Sequence, residues 1–214
     1  MADDLSALLL KIGVKPVGLE QGPKFVLGEN RWITRKRKKE AKRRSTKRFI
    51  KPENAQQVAD ARPGPGEAVH CILNGNFVLA DLIPRLMDTR PTTHLRIATL
   101  GLSERNAELL AEMHKAQKMT ECTIICSHYF QQVNKDSVFA ACVAKLQGAA
   151  RIVVTRSHAK VILIPQPPDF WVIEGSANLR SSDNLEQITI FNDQPVHDFH
   201  AAWIDELAGQ TEHG

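Results

Sequence analysis

At 214 residues and 43% hydrophobic content, the chain has room for one core-bearing domain plus an extension. It holds no apolar run of membrane-spanning length, and its opening MADDLSALLLKIG lacks the charge layout of a signal peptide, so a soluble, cytoplasmic protein with no membrane partner is expected. The net charge is only +4, yet residues 31–51 carry twelve Lys or Arg against one Glu; that segment stands at +11 and the remainder at −7.

In chain order, Asp3 or Asp4 caps a short predicted helix, Leu5 to Lys11, and residues up to 30 form an arm broken by Pro16, Gly18, Gly22, Pro23 and Gly28. The basic run follows: Arg31, Arg35, Lys36, Arg37, Lys38, Lys39, Lys42, Arg43, Arg44, Lys47 and Arg48. Its straight-chain residues permit a helix, but like charges repel, so the run is expected to be frayed when free and ordered on a polyanion. Trp32 and Phe49 flank it as anchors or as stacking partners for bases. Residues 52–67, ending in ARPGPGE, read as a linker; the expected division is 1–30 arm, 31–67 basic segment and linker, 68–208 catalytic domain and 209–214 tail.

Beyond the linker, strand and helix patterns alternate. Strands are predicted at Ala68–Leu73, His94–Thr99, Cys122–Ser127, Arg151–Thr155, Val161–Ile164, Trp171–Ile173 and Gln187–Phe191. Helices are predicted at Phe77–Met87, at Glu104–Lys118 behind a Ser103 cap, at Asp136–Gln147 and at Val196–Leu207. The expected fold is α/β, a sheet with helices on both faces, behind a basic N-terminal extension.

Cys71, Cys122, Cys126 and Cys142 lie scattered in apolar segments and read as buried thiols. A zinc site built on Cys122, Cys126 and His128 has no evident fourth ligand, so neither metal nor cofactor is expected. His70 and His94 sit inside strand patterns as satisfied core groups, whereas His197, His200 and His213 read as surface residues. His128 and Tyr129 follow a strand and either line a groove or are simply hydrogen-bonded; Glu174 reads as a strand-end charge.

The densest chemistry lies in RSHAKVILIPQPPDFWVIEGSANLRSSDNLE, residues 156–186. Strand alternation would put His158 and Lys160 on one sheet face, and a returning strand that ends at Gly175 would bring Ser176 and Asn178 beside them, with Glu186 close by. One imidazole, one ammonium, one hydroxyl, one amide and one carboxylate suit a phosphate group. At roughly 5% usage per residue type, five fixed residues, about two hundred starts and some freedom in the turn length leave coincidence on the order of 10⁻³.

HAK followed by GSAN and Glu resembles the signature of the phospholipase D superfamily, usually written H-x-K-x4-D with a downstream G-S-x-x-N. A single copy is similar to the small one-motif bacterial and phage endonucleases of that group. The resemblance covers about two thirds of the chain, from Ala68 to Leu207, and departs from the pattern at Pro165, where the family has Asp. It implies a mixed sheet and metal-independent cleavage of a phosphodiester through a phosphohistidine. With one motif per chain, it also implies a homodimer whose two His158 side chains share one site. In that reading Lys160, Ser176 and Asn178 hold phosphate, Glu186 orients an imidazole, and the basic run delivers DNA or RNA. The alternative is a degenerate scaffold that binds nucleic acid without turnover.

Overall fold

The computed structural model describes residues 47–210 apart from 89, 134 and 181–183, and apart from the side chains at 135 and 136. The predicted Leu5–Lys11 helix, the arm, basic residues 31–46 and the last four residues lie outside this set. Eight strands form one sheet: β1 (Lys47–Ile50), β2 (Ala68–Leu73), β3 (Thr92–Thr99), β4 (Met119–Ser127), β5 (Arg151–Thr155), β6 (Val161–Gln166), β7 (Asp169–Gly175) and β8 (Glu186–Asn192). Their order is β1-β2-β8-β7-β6-β3-β4-β5. The sheet is mixed: β1–β2, β3–β4 and β4–β5 pair in parallel, and the remaining neighbours are antiparallel.

Alternating side chains build a separate core on each face. On one face Ile97, Ile124, Ile162, Trp171, Ile173 and Ile190 pack against α1 (Ala55–Asp60), α2 (Leu82–Leu86), α3 (Glu104–Lys115) and α5 (Ala140–Leu146). A short helix, α4 (His128–Val133), adds Phe130 to that layer. On the other face Ala98, Ile125, Val161, Leu163 and Val172 meet Ala201, Ile204 and Ala208 of α6 (Gln194–Gln210). Helices therefore flank both faces, as the alternation predicted. The Ser103 hydroxyl caps α3 by accepting from Asn106 N at 3.3 Å.

Four local readings are corrected. Lys47–Ile50, part of the run read as helix-permissive, is an edge strand in register with Ala68–Cys71. Arg48 holds it there, donating from Nη2 to the carbonyls of Ala61 (2.6 Å) and Arg62 (2.8 Å). The stretch read as a linker contains α1, whose Val58 and Ala59 are fully buried, capped by the Asn54 side chain accepting from Gln57 N at 3.0 Å. The helix expected over Phe77–Met87 is a 3-10 turn, Leu79–Asp81, followed by the five residues of α2, which include Pro84. The helix expected over Asp136–Gln147 is a π-type turn, Lys135–Phe139, leading into α5, which stops before Gly148 at φ +76°.

The strand directions gather the sequence signature at one end. β2, β3, β4, β5 and β7 finish there, and β6 and β8 begin there. In open α/β sheets ligands bind beyond the carboxyl ends of strands. Because β1 and α1 belong to the packed domain, a chain starting at Ala68 is expected to unfold at clearly lower urea concentration than one starting at Lys47. Val58 alone accounts for about 2 kcal/mol of that difference. Equal midpoints in the two denaturation curves would contradict it.

Candidate active site

β5 ends at Thr155 and the chain crosses to β6 through residues 156–160. His158 and Lys160 lie in this crossing, immediately ahead of β6, and so are not within the strand that the alternation suggested. The crossing is shaped by the Ser157 hydroxyl, which accepts from Ala159 N at 3.2 Å. His158 is exposed and Lys160 half-buried. Lys160 Nζ contacts His158 Nδ1 at 2.9 Å and donates to the His158 carbonyl at 2.9 Å. Burial lowers the pKa of the Lys160 ammonium from that of an ordinary lysine, while the nearby Glu186 carboxylate acts in the opposite direction.

β7 returns beside β6 and ends at Gly175, whose N–H reaches the Lys160 carbonyl at 3.4 Å. Ser176 follows, pinned to the start of β8 by three bonds. Its N–H donates to the Gln187 carbonyl at 2.9 Å, its hydroxyl donates to Glu186 Oε2, and that hydroxyl accepts from Gln187 N at 3.1 Å. Ser176 and Glu186 are thus joined to each other, and Glu186 acts on Lys160 through its charge. Asn178 accepts from Leu100 N through Oδ1 at 3.1 Å, tying the turn after β7 to the end of β3. With that oxygen engaged, its donor toward a ligand is the amide nitrogen.

The five expected residues therefore lie at one end of the strands, on the crossing before β6, the turn after β7 and the start of β8. The structure also adds a residue that the pattern did not flag. Arg180, exposed and two positions past Asn178, lines a small cleft with Asn178, Asn184 and Glu186. His128 and Tyr129 are exposed at the same end, beyond β4. Of the basic residues proposed to bind nucleic acid, the structure describes Lys47, which is exposed, and Arg48, whose guanidinium is engaged by carbonyls.

Pro165 is buried inside β6, and its carbonyl accepts from Thr92 Oγ1 at 2.7 Å. Five residues of strand, about 16 Å, separate it from Lys160. Asp169, at the far hairpin, pairs with Arg90 at 2.7 Å and accepts from Asn192 Nδ2 at 2.8 Å. Neither position touches the imidazole.

Two histidine readings are corrected. His197 is 5% exposed, and burial lowers its pKa. His200 is also largely enclosed: its Nε2 lies 2.5 Å from Glu174 Oε1, and its Nδ1 accepts from Trp203 Nε1 at 3.0 Å. An indole N–H only donates, so the neutral His200 ring carries its proton on Nε2, facing Glu174. Glu174 is then a partner of α6 at the root of the Gly-Ser turn, more than a strand-end charge. The two strand histidines are hydrogen-bonded as read but only half-buried and outside both cores, with His70 Nδ1 2.9 Å from Thr189 Oγ1 and His94 Nε2 2.8 Å from Thr123 Oγ1. All four cysteines are buried free thiols, those of Cys122 and Cys126 pushed up to about 12 by burial.

No protein-family model matches the chain, and no curated protein matches it. Solved structures do match. NucT from Helicobacter pylori is 16% identical, over 67% of this chain and 97% of that one, at a TM-score of 0.47. Polyphosphate kinase from Porphyromonas gingivalis is 13% identical, over 66% of this chain and 26% of that one, at 0.46. Yeast tyrosyl-DNA phosphodiesterase is 14% identical, over 57% of this chain and 31% of that one, at 0.35. Likenesses this distant carry nothing about chemistry. The chain is an α/β protein by its own strand order, and it sets a motif resembling that of the phospholipase D superfamily at one end of the central strands.

Gly175 allows the close approach that assembles the site. A Cβ there would meet the Gln187 carbonyl oxygen at 2.1 Å and Ile188 Cα at 2.8 Å, both backbone atoms that cannot swing aside. Gly175→Ala is therefore expected to destabilise the fold by about 2 kcal/mol or more. The measurements are urea denaturation and, on the folded fraction, turnover; an unchanged midpoint would refute this account of the turn.

Proposed function

We propose that this protein is a metal-independent phosphodiesterase that cleaves DNA or RNA through a phosphohistidine intermediate, in a site shared by two copies of the chain. The observation that carries this reading is the pairing of an exposed imidazole, His158, with the Lys160 ammonium beside the Ser176–Glu186 pair. A phosphodiester repels nucleophiles through its own negative charge, so cleavage needs that charge neutralised next to an activated group. Lys160, the amide nitrogen of Asn178 and Arg180 supply the positive and donating groups. Ser176, whose proton goes to Glu186, fixes that carboxylate and acts as a positioning residue.

The contact between Lys160 and His158 implies an order of events. An ammonium only donates, so Nδ1 accepts and the neutral imidazole carries its proton on Nε2. Phosphate oxygens draw Lys160 toward themselves, Nδ1 becomes free to take the proton, and the Nε2 lone pair turns to phosphorus. Attack forms the P–N bond and breaks the P–O bond to the leaving oxygen, which receives a proton from the imidazolium of the second copy. Water then attacks the phosphohistidine, gives its proton to that same imidazole and breaks the P–N bond. A two-fold interface supplies the second His158 without a second motif in the chain.

In the presence of EDTA, His158→Ala is expected to abolish cleavage of labelled DNA and RNA while polymer binding persists. Cleavage retained in that variant, or full activity from a strictly monomeric protein, would sink the proposal. A second prediction comes from Lys160. Its cationic form is the one that holds phosphate, and that form is lost as pH rises through a pKa lowered by burial. The alkaline fall in kcat/KM should therefore begin below the ordinary lysine range, and Lys160→Arg should move it to higher pH. An alkaline limb that stays in place in the arginine variant would remove Lys160 from this role. The remaining reading, a binding module without turnover, is excluded if the wild-type protein hydrolyses bis(4-nitrophenyl) phosphate.

A further inference from the structure

Helix α6 covers β7, β6, β3 and β4 on its side of the sheet, and its core gathers there. The β1-β2 edge on the same side carries a different surface. Phe49 is 76% exposed, the highest value among the large hydrophobic side chains described. Its ring stacks on His70, with centroids 5.1 Å apart and planes 15° from parallel. His70 is in turn oriented by the Thr189 hydroxyl at 2.9 Å. A flat aromatic ring is thus held at a fixed angle by a second ring and a hydrogen bond, with its outer face open to water.

The surroundings are selective in charge. The strand side chains on this part of the sheet are Lys47, Phe49, His70, Ile72, Gln187 and Thr189; the next strand adds Glu174, in register with Thr189 and already paired with His200. Lys51 follows β1 and is exposed. The +11 segment of residues 31–51 runs directly into this strand. Along β2, His70 lies three residues, about 10 Å, from Leu73, which is in register with Glu186 at the candidate active site; the odd spacing sets the stack on the opposite sheet face from Glu186, so a nucleic-acid strand seated on it reaches that site around the end of the sheet.

We propose that the Phe49–His70 stack is a base-stacking subsite for single-stranded nucleic acid, seating a nucleotide some way along the strand from the scissile phosphate. This rests on the nucleic-acid reading above and narrows it to single strands. Every base presents a π-face, so such a ring binds without sequence preference, while flanking cations track the backbone. In a duplex those faces are occupied by neighbouring bases, so a ring lying on a sheet surface has nothing to stack against. The exposed apolar ring and the exposed Lys47 and Lys51 of the same strand segment then serve one ligand.

The test uses the full-length chain in the His158→Ala background with EDTA, so that no substrate is consumed. Fluorescence anisotropy is measured with a labelled oligothymidylate and with a labelled duplex across a salt series. Phe49→Ala should weaken single-strand binding by about tenfold, leave duplex binding little changed and keep the salt slope, because no charge is removed. Phe49→Trp should restore single-strand affinity. The subsite is overturned if Phe49→Ala weakens both polymers equally or neither, or if Phe49→Trp fails to restore binding. Hydrolysis of bis(4-nitrophenyl) phosphate by the unaltered protein reports on the catalytic reading alone. A protein that turns over the small diester yet shows no effect at Phe49 retains the enzyme and loses the subsite. A protein that binds neither polymer loses both.

Discussion

The close approach of β7 to β8 at Gly175 is the constraint on which the site depends. The turn that carries Ser176 and Asn178 leaves β7 where only a hydrogen fits between Gly175 and the backbone of Gln187 and Ile188. That approach lets the Ser176 N–H and hydroxyl bond the first residues of β8 and hold Glu186. The same residue meets the Lys160 carbonyl on its other side. Two stretches of the signature, sixteen positions or more apart between Lys160 and Ser176, are joined by backbone contact before any side chain is considered.

The supporting polar bonds are mostly long-range and grip backbone. Asn178 holds the end of β3, Thr92 holds the Pro165 carbonyl, and Arg48 clamps the chain around α1. His200 fastens α6 to Glu174 at the root of the Gly-Ser turn, with Trp203 fixing its ring. Buried polar groups satisfied in this way cost little and fix a unique arrangement.

Legibility in the sequence followed the range of the interaction. The central strands carry their own alternation, and Ala68–Leu73 and Arg151–Thr155 were readable to the residue. β1 was not, because Lys47, Arg48, Phe49 and Ile50 sit in a charged run whose strand identity comes from pairing with β2 and from carbonyls some thirteen residues on. α1 left a faint sign in Asn54 and Gln57, a cap written into four residues, masked by the prolines around it. Among the site residues, the local His158 and Lys160 pair was visible as a pattern. The commitment of the Ser176 proton to Glu186, and the bond from Glu174 to His200, depend on strand return and helix packing, which spacing alone does not encode.

The outermost strand has one more consequence. Among the described residues β1 shields the edge of β2 and has no strand on its own outer side, and an unpaired edge invites a further strand from a neighbouring molecule. Lysines stand at this edge, Lys47 opening the strand and Lys51 just past it, and both are exposed. Two molecules approaching through it would meet like charge, which opposes growth of the sheet from one molecule to the next. A bound polyanion would cancel that repulsion, which makes the fully loaded protein the form in which neighbouring copies crowd most easily.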